Sequence, residues 1–253
     1  MELGLKLFSI NENYVKEAVK LFEQKVYDFI ELYVVPDSFE SCINLWKPLN
    51  IPFIIHAPHF RNGVNLAKKE GFEQNIKFAK EAQEFADELN AEYIIFHPGI
   101  TGNIEETARQ LNIINDSRIL IENKPYFTVL GDENICNGNS PEEIKFILEN
   151  AKTGFCLDIG HCFCSANAQK IKPFDYLKQF LELNPKMFHL VDNDFSSVMD
   201  KHLHFGDGNF DIKKILNCLP DTAKITLETY KDSKENLDDF IKDIEFIKKL
   251  FKL

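Results

Sequence analysis

FIIHAPHF (53–60) and YIIFHPG (93–99) frame the stretch of sequence that decides the fold. Each begins with a short apolar run rich in β-branched and aromatic residues, which is typical of a strand buried on both faces of a parallel sheet. Between them, apolar residues recur at three- and four-residue steps over 70–89, from Phe72 to Leu89. That spacing predicts an amphipathic helix, so the stretch is a strand–helix–strand unit.

The same alternation continues to both ends of the chain. Counting the two runs above, eight segments are predicted to be strands: 3–9, 27–34, 53–56, 93–97, 118–122, 154–158, 187–191 and 224–228. Helical patterns separate them, and the others that stand out occupy 104–115, 211–218 and 234–251. Eight strands alternating with eight helices predict an α/β fold, a (β/α)8 TIM barrel. A doubly wound open sheet is the alternative, but it would concentrate functional residues at one switch point.

Local signals refine this topology. Asp37–Ser38, Asn103 and Ser140–Pro141 are expected helix starts, because short polar residues cap helix N-termini and proline suits the first helical position. The stretch 126–139 is expected to be a long loop over the mouth of the barrel. No linker or low-complexity tract interrupts the sequence, so residues 1–253 are expected to form one domain.

Composition restricts the class of protein. The formal net charge is −11, and an acidic surface repels phosphate backbones at long range, which counts against a general nucleic-acid binder but not against a local basic groove. The N-terminal segment lacks the pattern of a signal peptide, and no run approaches the roughly 18 apolar residues that span a membrane. The six cysteines form no CxxC pair. We therefore expect a cytoplasmic protein with reduced thiols and no obligatory protein partner.

Histidines collect at the ends of the predicted strands. The carboxyl ends of parallel barrel strands converge on one mouth, and imidazole and carboxylate groups are the donors that zinc and manganese prefer. A lone histidine on a strand is more often a hydrogen-bonded core residue, but the joint placement predicts a metal site. All seven histidines lie at or just after a strand end, together with three strand-terminal carboxylates: His56, His59, His97, His161, His189, His202, His204, Glu122, Asp158 and Glu228.

Two short patterns support the same site. Asp158–x–x–His161 can bring a carboxylate and an imidazole together across the turn after the sixth strand. Asp200–x–His202, if extended, points both side chains to one side. His59 and His204 could instead contact substrate, or could hydrogen-bond the second nitrogen of a ligand.

The ordered set of motifs resembles the superfamily that contains endonuclease IV (AP endonuclease family 2) and the xylose-isomerase-like sugar isomerases and epimerases. Any one motif alone would be weak, but the set covers essentially the full chain. Its members are HAPHF…NLA (56–67), FHPG (96–99), IENKP (121–125), LDIGHCF (157–163), FHLVDN (188–193), DKHLHFGDGN (200–209) and TLET (226–229).

The endonuclease IV branch implies up to three zinc ions, which activate hydroxide for hydrolysis of a phosphodiester, with DNA at abasic sites as the candidate substrate. Glu122 and Glu228 are the expected catalytic residues. Glu122 would bridge the first two ions. The resemblance implies three ligand groups: His56, His97 and Glu122; Glu122, Asp158, His189 and Glu228; and His161, Asp200 and His202.

The chain also departs from that branch. The segment DNDFSSVMD (192–200) is acidic where the endonucleases have a basic residue. The loop HFRNGVN (59–65) offers His59, Phe60 and Arg61 as a wedge or substrate-binding group. These differences put DNA in doubt as the substrate more than they affect the metals.

A metal-dependent sugar or sugar-phosphate isomerase or epimerase is the alternative function. It would need a single divalent ion, Mn²⁺ or Zn²⁺, on the second ligand group, with Glu122 and Glu228 as the proton-transfer pair. Lys124 and the loop Gly206–x–Gly208 could hold a phosphate or hydroxyl. A barrel that only binds a small ligand is a third possibility. The nine-residue ligand set favours hydrolysis.

Overall fold

The structure is a computed structural model that describes residues 1–128 and 131–251. Eight parallel strands close into a barrel, and two further strands form a separate antiparallel hairpin. The strands are β1 (Glu2–Phe8), β2 (Phe29–Tyr33), β3 (Phe53–His56), β4 (Ile94–Phe96), β5 (Ile119–Glu122), β6 (Phe127–Thr128), β7 (Gly131–Ile135), β8 (Gly154–Asp158), β9 (Met187–Leu190) and β10 (Lys224–Leu227). The hairpin consists of β6 and β7.

The predicted (β/α)8 barrel is confirmed and the open sheet is wrong. β10 pairs with β1 in parallel, from Glu2 opposite Lys224 to Leu5 opposite Leu227, which closes the sheet on itself. Closure removes both sheet edges, so every barrel strand has a hydrogen-bonded neighbour on each side. The carboxyl ends of all eight strands therefore surround one mouth.

Helices cover the outside of the barrel. The predicted starts at Asn103 and Ser140 are confirmed: each side chain accepts hydrogen bonds from backbone amides of the following turn, and α2 starts directly after Ser38. The helices are α1 (Glu12–Glu23), α2 (Phe39–Trp46), α3 (Phe72–Glu88), α4 (Ile104–Ile114), α5 (Pro141–Asn150), α6 (Ile159–Ala168), α7 (Pro173–Leu181), α8 (Ile212–Leu216) and α9 (Asp238–Phe251). None of them is long and apolar enough to cross a membrane.

Two local expectations are corrected. The connection from β8 to β9 contains both α6 and α7, so the part of the chain that the structure describes has nine helices rather than eight. The expected loop over 126–139 contains the hairpin β6–β7, whose base is fastened by a hydrogen bond from Cys136 N to the Tyr126 carbonyl oxygen at 2.9 Å. Residues 129 and 130 of that expected loop lie outside the described residues.

A small apolar cluster fills the interior of the barrel on the side away from the mouth. Phe29, Ile54, Ile95, Leu120, Cys156 and Met187 are almost fully buried and pack together inside the strands. Successive side chains of a strand point to opposite faces, so the residue two positions further along each strand also points inward. Those inward positions lie nearer the mouth, directly above the apolar cluster, and they carry the chemistry of the protein.

The carboxylate of Asp192 holds part of the loop between β9 and α8. Asp192 accepts hydrogen bonds from the backbone amides of Gly206, Gly208 and Phe210, at 2.9, 3.2 and 3.0 Å. The sequence allowed this glycine loop to bind a phosphate, but the amides of Gly206 and Gly208 are directed to Asp192. The hydrogen-bonding capacity of these amides is therefore used within the loop, which supports residues 200–204.

Gly208 has no room for a larger side chain. A Cβ there would lie 2.6 Å from the backbone nitrogen of Asn193 and closer still to Asp192 Oδ1. We predict that Gly208→Ala lowers the free energy of unfolding by about 1–3 kcal/mol, because overpacking forces the backbone to shift. Urea unfolding measures the change.

Gly71→Ala is the control, because a Cβ at Gly71 meets nothing within 4 Å although its φ is +81°. That variant has only the backbone cost of a left-handed residue, roughly 1 kcal/mol. Equal destabilisation by both substitutions would contradict the close-approach argument.

Candidate metal centre

A ring of ionisable side chains lies above the apolar cluster, one from each barrel strand. Each stands two residues after a position that faces the barrel interior. We call this set the polar ring; its members are Lys6, Glu31, His56, His97, Glu122, Asp158, His189 and Glu228. Lys6 and Glu31 were not anticipated from the sequence.

The first ligand group joins His56, His97 and Glu122. The Nε2 atoms of His56 and His97 lie 3.2 and 3.1 Å from the same oxygen, Glu122 Oε2. His56 Nδ1 lies 2.8 Å from the carbonyl oxygen of Ala57, which can only accept, so Nδ1 carries the hydrogen in the neutral ring. Burial lowers the pKa of His56, so its ring is neutral and a bare Nε2 lone pair faces a carboxylate oxygen. Two facing lone pairs repel each other, so a cation between them would stabilise the pair.

The second group is assembled around His189. Its Nε2 lies 2.9 Å from Glu31 Oε2, while its Nδ1 faces Glu228 Oε1 at 3.2 Å and Asp158 Oδ2 at 3.8 Å. Glu122 Oε2 is 3.4 Å from the same Nδ1. Glu31 therefore orients the imidazole of His189 through Nε2, and Nδ1 is the ring atom that remains free to bind an ion.

The third group joins His161, Asp200 and His202. Asp200 Oδ2 lies 3.3 Å from His161 Nε2 and 3.1 Å from His202 Nε2. His202 Nδ1 is 2.9 Å from the backbone carbonyl oxygen of Glu228, which directs Nε2 towards the aspartate. Burial opposes the charge of His161, but Asp158 and the other surrounding carboxylates raise its pKa to about 10. In this group the imidazoles of His161 and His202 therefore both approach Asp200 Oδ2. The negative charge of that oxygen stabilises a positive charge beside it.

These three groups fit a divalent metal. Four ligands at about 2.0 Å in a tetrahedron lie about 3.3 Å apart, which matches the spacings of 3.1–3.3 Å between imidazole nitrogens and the carboxylate oxygens of Glu122, Glu228 and Asp200. Asp158 Oδ2, His189 Nδ1 and Asp200 Oδ2 are buried and have no hydrogen-bond partner among the residues described. Burying unpaired polar atoms is costly, and a bound ion would satisfy these three.

Burial shapes the ionisation of the aspartate in the second group. It raises the pKa of Asp158 to about 6; the charge of His161 opposes this shift, whereas Asp200 adds to it. A carboxylate that resists ionisation in this way is stabilised by a nearby cation. Asp158 also begins α6: its Oδ1 accepts a hydrogen bond of 2.7 Å from His161 N. The expected turn after β8 is therefore the first turn of a helix.

His202 corrects a second local expectation. Its φ is +48°, so Asp200–x–His202 is not an extended segment with both side chains on one side. The left-handed backbone at His202 turns its ring back towards Asp200 instead. A non-glycine residue in this conformation costs of order 1–3 kcal/mol, and such residues cluster at functional sites.

Lys6 and the buried Glu31 form an ion pair within the polar ring. Lys6 Nζ bonds to Glu31 Oε1 and lies 2.6 Å from Glu228 Oε1. Burial opposes the charge of both groups, but the carboxylates raise the pKa of Lys6, while His189 and Lys6 lower the pKa of Glu31 to about 2. Thr226 Oγ1 adds a 2.6 Å hydrogen bond to Glu31 Oε2. The signal in the sequence was a single charged residue inside each of two apolar strands, LGLKLF and FIELY.

Lys124 reaches into the centre from the loop after β5. Its Nζ lies 3.1 Å from Glu122 Oε1, 3.3 Å from His97 Nε2 and 3.4 Å from both ring nitrogens of His161. The ammonium group therefore stands between the first and third groups. Its expected role, binding an anionic part of the substrate, stays a prediction that this position supports.

The other predicted substrate-binding residues divide into two sets. His59, Phe60 and Arg61 line the mouth of the cavity, and the ring of His59 stacks on His97 with centroids 4.6 Å apart. His204 is not among the described residues that line the cavity: its Nδ1 lies 2.8 Å from Asp243 Oδ2, on α9. His204 therefore holds its loop against α9, and a contact with substrate is not supported.

The comparisons with known proteins give the family and the fold. The family model described as Xylose isomerase-like TIM barrel matches residues 19–250. The chain belongs to this family.

Its relatives include more than one chemistry. The curated relative Probable endonuclease 4 of Aquifex aeolicus is 27% identical over 220 residues, which cover 79% of this chain and 77% of that protein. Two solved structures share the fold over the whole of this chain. A D-tagatose 3-epimerase-like protein has a TM-score of 0.76 at 21% identity, with 97% of that chain covered. Endonuclease IV from Thermus thermophilus has a TM-score of 0.73 at 20% identity, with 99% covered.

Glu31 gives a test of the metal centre within this family. Glu31→Gln keeps the shape of the side chain but removes the charge that orients His189. We predict a 10- to 100-fold loss of zinc affinity, roughly the effect of removing an outer partner of a ligating histidine. Competition with a chelating dye measures it.

Glu81→Gln is the matched control. Glu81 is also a buried carboxylate, but its oxygens accept hydrogen bonds from the backbone amides of Asp37, Ser38 and Phe39 at the start of α2. That substitution should reduce stability and leave zinc affinity unchanged. An equal loss of affinity in both variants would mean that Glu31 acts only through general stability.

Proposed function

We propose that this chain is a metal-dependent phosphodiester hydrolase of the endonuclease IV type, with zinc as the candidate ion and DNA at an abasic site as the candidate substrate. The close groups of potential ligand atoms among the described residues include three that together support this proposal: His56, His97 and Glu122; Asp158, His189 and Glu228; and His161, Asp200 and His202. Bound zinc ions would supply an activated water molecule and neutralise charge on the attacking and leaving oxygens of a phosphodiester.

The third group, His161, Asp200 and His202, is the observation that carries the proposal. A single-ion isomerase needs only the second group with Glu122. The chain nevertheless builds a further set of donors. The Nε2 atoms of His161 and His202 both approach Asp200 Oδ2, at 3.3 and 3.1 Å, which supports a role for the group in binding an additional ion.

The side chains around these groups suit an anionic substrate. Lys6 and Lys124 present ammonium groups at the floor of the cavity, and Arg61 and Lys231 lie along its wall. An ammonium group binds phosphate oxygens as a compact charge, while Arg61 can bind two oxygens at once. In this proposal these cations position the phosphodiester, and Glu122 and Glu228 are the carboxylates next to the reacting centre.

An isomerase or epimerase acting on a small sugar is the second candidate. The cavity volume of about 440 Å³ favours it, because that space suits one small molecule. Glu122 and Glu228 lie on either side of His189 Nδ1, at 3.4 and 3.2 Å, so both could exchange protons with a bound sugar.

Metal content separates the two candidates. Under the hydrolase proposal the purified chain holds more than one zinc ion, close to three, and nicks a duplex that carries one abasic site. His161→Ala and His202→Ala should each remove one ion and lower the nicking rate at least about 100-fold, because one ion supplies several kcal/mol of charge stabilisation. Elemental analysis and gel-based nicking assays measure both effects.

His204→Ala serves as the control, because His204 is a histidine of the same segment that faces α9 instead of the cavity. It should keep the wild-type metal count. The hydrolase proposal would be contradicted if the wild type holds a single ion and does not nick the duplex. Exchange of solvent deuterium into a sugar substrate would then support the isomerase.

A further inference from the structure

Large apolar side chains reach solvent mainly on the face of the barrel that carries the cavity. Five of the six that are exposed lie at the carboxyl end of a barrel strand or in the connection after it, whereas Ile113 lies on α4. Scattered exposed apolar residues are ordinary, but concentration on one face indicates a binding surface. The six, taken over the described residues, are Phe8, Ile10, Ile113, Ile135, Val198 and Tyr230.

Two of them are aromatic and lie at or just after the ends of neighbouring strands. Phe8 ends β1 and is 47% exposed, and Tyr230 follows β10 by three residues and is 59% exposed. β1 and β10 are hydrogen-bonded neighbours, and both rings line the cavity. We call this pair the aromatic platform.

Each ring of the platform is supported from one side. Phe8 packs edge-on against Tyr33, with ring centroids 5.2 Å apart. Tyr230 lies 5.6 Å from the ring of His202. The high exposure of both rings shows that much of their surface faces solvent at the mouth, where a planar group can stack.

A cation accompanies each ring. Lys6 stands two residues before Phe8 on β1, so both side chains leave the strand on the same face. Lys231 follows Tyr230 directly, and its Nζ donates a 2.8 Å hydrogen bond to the Thr229 carbonyl oxygen. Both lysines line the cavity. Aromatic surface at the rim of a cavity that is also lined by cationic side chains matches a ligand that has a planar apolar part joined to an anion.

We propose that the aromatic platform, Phe8 and Tyr230, stacks against a nucleobase attached to the phosphate that the cavity binds. This rests on the proposed hydrolase function and adds a nucleotide-recognition site to it. Stacking of bases on aromatic rings is tolerant of sequence and does not depend on long-range attraction. It therefore suits a chain of net charge −11, which cannot attract nucleic acid by its overall field.

Calorimetric titration of the zinc-loaded full chain tests this with two probes that differ in the base alone, deoxyadenosine monophosphate and deoxyribose 5-phosphate. The wild type should bind the nucleotide about 5- to 150-fold more tightly, the range expected for one stacked base. Phe8→Ala and Tyr230→Ala should each reduce that preference and leave zinc content unchanged. Tyr230→Phe keeps the ring and should retain the preference.

Ile113→Ala is the matched control, because Ile113 is as exposed as Phe8, at 47%, but lies on α4. Equal affinity of the wild type for both probes, or an unchanged preference in both alanine variants, would overturn the platform. An equal loss of affinity for both probes would also overturn it, since the rings would then contact the sugar or phosphate. If the chain prefers the nucleotide but does not nick abasic DNA, only the proposed hydrolase function is contradicted. If it nicks abasic DNA but binds both probes equally, only the aromatic platform is contradicted.

Discussion

The constraint on which the site depends is the burial of charge inside the barrel. Every barrel strand contributes one ionisable side chain to the polar ring, and four of the eight are carboxylates. Carboxylates this deep are stable when paired or bound to a cation. The arrangement of Lys6, Lys124 and the imidazoles around them follows from that requirement, while the outer helices serve to cover the barrel.

The third ligand group depends on a different kind of support. His161 is fixed by the first turn of α6, but Asp200 and His202 lie in a loop, where ordinary packing does not define side-chain positions to a fraction of an ångström. Asp192 supplies the missing rigidity by binding the amides of Gly206, Gly208 and Phe210. The geometry of the candidate metal centre thus rests in part on a carboxylate that lies outside the three ligand groups.

Sequence reasoning found the barrel and the donors at the strand ends, because strand ends of a parallel barrel meet regardless of their separation along the chain. It missed Lys6 and Glu31 because strands buried on both faces lack a period-two pattern, so an isolated charge in LGLKLF or FIELY shows no direction. It placed His204 in the cavity because proximity in sequence to His202 does not reveal that Asp243, on α9, binds its ring. Contacts between distant segments decide such cases.

The charge of the centre links the number of ions to the class of substrate. Glu31, Glu122, Asp158, Asp200 and Glu228 face the two ammonium groups of Lys6 and Lys124, which leaves three negative charges when the imidazoles are neutral. One divalent ion would leave the centre negative, and a phosphate would be repelled. Two or three would make it positive, so a phosphodiester would be attracted. Lys6 and Lys124 thus lower the number of ions that an anionic substrate needs, and a single-ion centre here would suit a neutral sugar better than a sugar phosphate.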